Sequence, residues 1–167
     1  SSDYTGYLQE LHSSELELAI KLEADRMHNL LLRDEEFNNE LRVVMEERRQ
    51  RVDDNPRGLL MEQLAATMYL SHPYRTPIVG WMNDLEHLTL EDAADWYRRW
   101  YAPNNAALVV AGDVDPAEVV RLSEKYFGPI KSRLLPVRKP QEEPGRLGSR
   151  MVTVRANTTM TSQITAY

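Results

Sequence analysis

The stretch "EFNNELRVVMEERRQRVDD", Glu36 to Asp54, constrains the fold more than any other, because its helical period and its acids pull against each other. With Phe37 as zero and about 100° per residue, Leu41 falls at about +40° and Val44 at about −20°, an apolar stripe. On the same wheel Glu40 lies at about −60° and Glu47 at about −80°, between Val44 and Val43 at about −120°. Glu46 lands at about 180° and points to water. A carboxylate on the flank of a buried stripe must be protonated, paired with a cation or bound to a metal, because burying it bare is costly. Two readings stay open from the spacing alone. Both acids lie at the boundary, snorkelling or paired with Arg48 or Arg51, as charge-rich helix faces commonly do; or they face a metal ion.

The surrounding text alternates helix and strand signals. "DYTGYLQEL" reads as a first strand, rich in Tyr and Thr. Ser13 or Ser14 caps a helix carrying Leu16, Ile20, Met27 and Leu30, with Glu17 in capping-box spacing from Ser14. Asp34 caps the acidic helix, which runs to about Asp54 before "NP" breaks it. Pro56 suits the first turn of a third helix, "RGLLMEQLAATMYL", and the loop "SHPYRTPIVG" follows. Thr89 and Asp92 cap "LEDAADWYRRWY"; "NNAALVVAG" is a short apolar strand, buried on both faces; Asp115 caps "AEVVRLSEKYF". "RMVTVRA" and "TSQITAY" are strand-like as well. Strands interspersed with a majority of helices predict an α+β fold, helices packed on a mixed β-sheet that is incomplete at the N-terminal end.

Composition narrows the function. A net charge of −6 and no basic face argue against nucleic acid as the partner. The absence of cysteine removes disulfides, thiolate metal sites and a cysteine nucleophile. No apolar run reaches the length of a membrane span. His12, His28, His72 and His87 show no metal-motif spacing; His72 reads as a loop residue, and His28 suits the end of a helix. "VVAGDVDP" lacks a phosphate-loop glycine pattern and reads as a strand-to-helix turn. Trp81, Trp96 and Trp100 mark core or an interface.

Taken in order, "DYTGYLQEL", "LEADRMHNLLL", "FNNELRVVMEERR", "HPYRTPIVG", "LEDAADWYRRWYAPNNAALVVAGDVDP" and "LSEKYFGPI" resemble the pitrilysin/insulinase family of zinc metallopeptidases. These are the inverted zincins, here in the bacterial, mitochondrial-processing-peptidase-like branch. The resemblance implies a LuxS/processing-peptidase-like metallohydrolase half. It also implies one zinc ion, held by two histidines of H-x-x-E-H, whose glutamate is the general base, and by a distant glutamate. Carried over, the metal ligand is Glu47 and Glu40 steadies the site from behind it. H-x-x-E-H is absent from these residues, and the resemblance places it before Ser1. One ligand of three binds zinc poorly, so the chain by itself is expected to be inactive. In the complete protein the resemblance implies zinc-assisted hydrolysis of peptides or unfolded segments.

The resulting expectation is a piece of a longer protein: residues 1–130 a partial metallopeptidase-like α+β domain, 131–148 a proline-rich charged linker, and 149–167 the start of a second half. Expected partners are a peptide substrate, bound as an added strand, and a second homologous half in the same chain or a homologous subunit. The branch suggests a bacterial periplasm or cytoplasm; the residues themselves name no compartment. The competing expectation within the same fold is a metal-free structural or substrate-holding subunit. A third is an interaction module using Trp96 to Tyr101. Retention of Glu40 and Glu47 favours the enzyme.

Overall fold

The computed structural model describes residues 1–145 and 147–166; Arg146, in the proline-rich stretch, and Tyr167, which ends "TSQITAY", lie outside the described residues. Among the described residues the α-helices are α1 (Leu16–Asn29), α2 (Asp34–Arg48), α3 (Pro56–Met68), α4 (Met82–His87), α5 (Leu90–Trp100) and α6 (Pro116–Phe127). Local chemistry explains most of their ends. Asn55 accepts from the amides of Arg57 and Gly58 ahead of Pro56, and Asp115 accepts from the amide of Ala117 ahead of Pro116. Thr89 and Asp92 form a reciprocal capping box at α5.

Three ends differ from expectation; one is the start of α2, where Asp34, expected to cap the helix, is already its first residue. The turn before α1 is a 3-10 segment, Ser13–Glu15, capped by the His12 ring, which accepts from the amide of Ser14. The serines therefore sit inside that turn. The acidic helix ends as an α-helix at Arg48 and continues as a π turn, Arg49–Asp53, before Asn55-Pro56 stops it. Helix α4, too short for a periodic signal, follows the loop the sequence predicts.

The expected α+β layering is overturned. Among the described residues no strand or bridge forms, so there is no mixed β-sheet and no processing-peptidase-like α/β layer for the helices to cover. Residues 4–11, 106–112, 150–156 and 161–166 all lie outside helices. Val109, expected to be buried on both faces, is 86% exposed. The physical reason is that a strand needs a neighbour to receive its backbone hydrogen bonds, whereas a helix satisfies them internally. Alternation and β-branching give a segment the propensity, but no other described segment completes the ladder.

The described residues divide into two compact units. One comprises residues 4–37 and 88–138. There α1 packs on α6, burying Ile20 and Ala24 against a core that includes Leu122 and Ala102. Full burial of Ile20 or Leu122 contributes about 1.5–3 kcal/mol each. Polar ties reinforce this packing: Lys125 Nζ and the Tyr126 hydroxyl both reach Glu17, at 2.6 and 2.7 Å. The Tyr97 hydroxyl on α5 donates to Arg26 O (2.9 Å) and accepts from Leu30 N (3.3 Å), binding the end of α1.

The other unit comprises residues 1–3, 38–87, 139–145 and 147–166. Its α3 rests on the π turn and on the 3-10 turn Pro73–Arg75. Val52 and Leu85 are its buried apolar side chains among the described residues, and two charged groups, Arg48 and Glu62, are buried with them. Packing this sparse leaves the charged pair a large share of what fixes the elements together.

Candidate functional site

Helix α2 carries both candidate acids, and the helical wheel describes the surroundings of one of them. Phe37, Leu41 and Val44 are half-buried, Glu47 is half-buried on the flank, and Glu46 is exposed. Glu40, predicted on the same flank as Glu47, is exposed. Glu47 forms an ion pair with Arg51 one turn on, at 2.7 Å; its side chain retains 37% of its exposure and that of Arg51 74%. Pairing with Arg51 is one of the two arrangements open from the spacing. Glu46 instead reaches Arg49 (3.2 Å) and Gln50 (3.3 Å) on the solvent side.

The centre of the stripe is occupied by Arg48, which the sequence reading did not single out. It lies eleven residues after Phe37, at about +20° on the wheel, a signal available from the spacing. Arg48 is 5% exposed, and its guanidinium meets Glu62 of α3, itself 8% exposed. Its Nη1 donates to Glu62 Oε2 at 2.7 Å and its Nη2 to Oε1 at 3.1 Å, a two-pronged contact. Nη1 also donates to Gly80 O at 2.8 Å, and Asp53 Oδ1 lies 3.3 Å from Nη2. The hydrogen bond to Glu62 pushes the Arg48 pKa up, against the opposing pull of burial. Its Nε–H finds no acceptor among the described residues, while the Trp81 ring lies 5.8 Å from the guanidinium carbon. Gly80 has φ +86°, a conformation that favours glycine and turns its carbonyl toward Arg48.

This anchoring has a consequence for Glu47. With Arg48 locked at the stripe centre, α2 has one rotation about its axis, and Glu47 is held at the edge of the buried face. The pair with Arg51 is an exposed i,i+4 contact, worth about 0.3–0.5 kcal/mol, so it leaves the carboxylate free to exchange partners. Among the described residues no group of three or more His, Cys, Asp or Glu side chains is placed to hold a metal ion. The residues present do not by themselves fit a catalytic zinc, which takes three protein ligands and a water.

The remaining candidates have local roles. The His72 ring accepts from Tyr74 N and packs edge-on to Tyr74, with ring centroids 4.5 Å apart. His87 pairs with Asn83 O at 2.7 Å, and His28 lies in the last turn of α1. Trp96 is 57% exposed and lies 5.6 Å, centroid to centroid, from Trp100. No helix among the described residues is long and apolar enough to cross a membrane.

Comparison with known proteins places this arrangement in a family. Residues 87–166 match the model described as the peptidase M16 inactive domain. The zinc protease PqqE of Helicobacter pylori is 35% identical over 157 residues, 92% of this chain and 35% of that protein. An uncharacterized zinc protease of Mycobacterium leprae is 32% identical over 150 residues, 88% of this chain and 33% of that protein. The crystal structure of a protease from Helicobacter pylori superposes with a TM-score of 0.74 at 35% identity, covering 78% of this chain and 32% of that one. The chain thus spans about a third of the length of the curated relatives it matches. Sequence and fold agree: this chain belongs to the pitrilysin/insulinase family of metallopeptidases, peptidase family M16.

Proposed function

We propose that the chain is part of a zinc-dependent endopeptidase acting on peptides or unfolded segments, and that it contributes the distal glutamate ligand, Glu47. The observation that carries this reading is the placement of Glu47. It sits half-buried on the flank of the α2 stripe, fixed there by its buried neighbour Arg48 and paired with the surface cation Arg51. That is the position a metal ligand needs: near the interior, oriented, and cheap to redirect. Glu40, seven residues earlier, would steady the site from behind. The two histidines and the general base would come from an H-x-x-E-H segment outside this sequence. Residues 1–130 would form part of the first half of the peptidase, 131–148 the linker, and 149–167 the start of the second half, which would help enclose the substrate.

A metal-free structural or substrate-holding subunit is the second reading. The ion pair between Glu47 and Arg51 favours it, because it satisfies the carboxylate without a metal.

Zinc content and peptide cleavage, measured on a parent protein that carries H-x-x-E-H, separate the two. Glu47→Gln is expected to remove most of both, while Glu46→Gln, altering a solvent-facing acid, changes little. Equal effects of the two substitutions, or normal zinc content in E47Q, would sink the ligand assignment and leave the metal-free subunit.

A further inference from the structure

Beyond the end of α3 the chain builds a second site, unrelated to the acids of α2. The amides of Leu70, Ser71 and His72 converge on one carboxylate, that of Glu143. Leu70 N donates to Oε1 at 2.6 Å, and Ser71 N and His72 N donate to Oε2 at 3.0 and 2.9 Å. The Ser71 hydroxyl adds a fourth tie, donating to Glu142 O at 2.7 Å. Successive amides turned to one point form a concave anion receptor.

The carbonyl end of a helix carries partial negative charge and would ordinarily repel an acid. Two guanidinium groups answer that charge here. Arg150 Nη1 donates to Thr67 O at 2.7 Å, on the last turn of α3, and Arg75 Nη1 donates to Leu70 O at 2.8 Å. The carbonyls are thus occupied by cations and the amides by an anion. Segment 139–150 supplies one of each sign, Glu143 and Arg150, seven residues apart in sequence.

We propose that residues 70–72 are a carboxylate-binding nest whose resident ligand is Glu143, so that segment 139–145 is stapled to the end of α3. Neither the metal assignment nor the division into halves enters this inference. The staple fixes segment 139–145 beside α3, whose Leu60, Leu64 and Met68 line, with residues that include 148–156 and 160–166, a cavity of about 1490 Å³. It works with a carboxylate, since three donated N–H groups suit a full negative charge.

The test is amide hydrogen exchange on the whole chain, followed residue by residue, with Leu122 of α6 as an internal control. In E143A the amides of Leu70, Ser71 and His72 should exchange about tenfold faster, since each loses a charge-assisted acceptor, while Leu122 is unchanged. E143Q keeps the side-chain shape and removes the charge, and it should behave like E143A. Wild-type exchange in E143A would overturn the nest; wild-type exchange in E143Q would overturn its selectivity for a carboxylate. If circular dichroism shows that E143A does not fold, E143Q alone decides by the same criterion.

Discussion

Arg48, at the end of α2, and Glu62, in the middle of α3, form a two-pronged buried contact at 2.7 and 3.1 Å, fourteen residues apart in sequence. Burying two charges is expensive, and the geometry offsets that cost only because Gly80 O and Asp53 take further donors. The pair joins two helices and a loop in a unit with few buried apolar side chains. It also sets the rotation of α2, and hence where Glu47 points.

Removing one partner strands the other. R48M should destabilise the chain by about 3–5 kcal/mol, because Glu62 is left buried without a cation. The double substitution R48M/E62L replaces both charges by apolar groups of similar size and should recover most of that loss. Urea unfolding of the two variants and the wild type checks it. A double variant no more stable than R48M would mean that the pair is not a closed unit.

Gly58 is the place where α3 touches the π turn. A Cβ there would lie 2.1 Å from Arg51 O and 3.0 Å from the Val52 Cα, both backbone atoms that cannot swing aside. G58A, ordinarily favourable within a helix, should therefore cost about 1–3 kcal/mol. Thermal unfolding is the measurement. A stabilised G58A would show that the π turn and α3 are not in contact as described.

The Glu143 carboxyl is held down at about 2, first by the amide of Leu70 and then by those of His72 and Ser71, against an ordinary value of 4.5. A carboxyl whose pKa is lowered by folding contributes stability above its unfolded value and loses it as pH falls through the folded one. The staple is therefore expected to be intact at pH 5 and above, and to be released progressively between pH 4.5 and pH 2. A carbon-13 titration of the Glu143 side-chain carboxyl reads it directly. A midpoint at 4.5 would show that the three amides do not hold the acid in solution.

What the sequence by itself determined are the features made within a few residues. The capping box of Thr89 and Asp92, the cap at Asp115, Pro56 opening α3, and the opposite facing of Glu46 and Glu47 all follow from spacing along one helix. The ordered segments that resemble a peptidase family were legible too, because family membership is carried by residues in sequence.

Tertiary structure alone decided the rest. Arg48 was weighed only as a partner for the acids of its own helix, and nothing local said that Glu62 would meet it. The convergence of 70–72 on Glu143 joins residues more than seventy positions apart. Strand propensity misled for the same reason. A helix closes its hydrogen bonds upon itself, so a short window of sequence suffices to specify it, whereas a ladder or a buried ion pair exists only when a distant partner arrives. Val109 has the side chain of a core strand and, with no described segment to pair with, stands exposed.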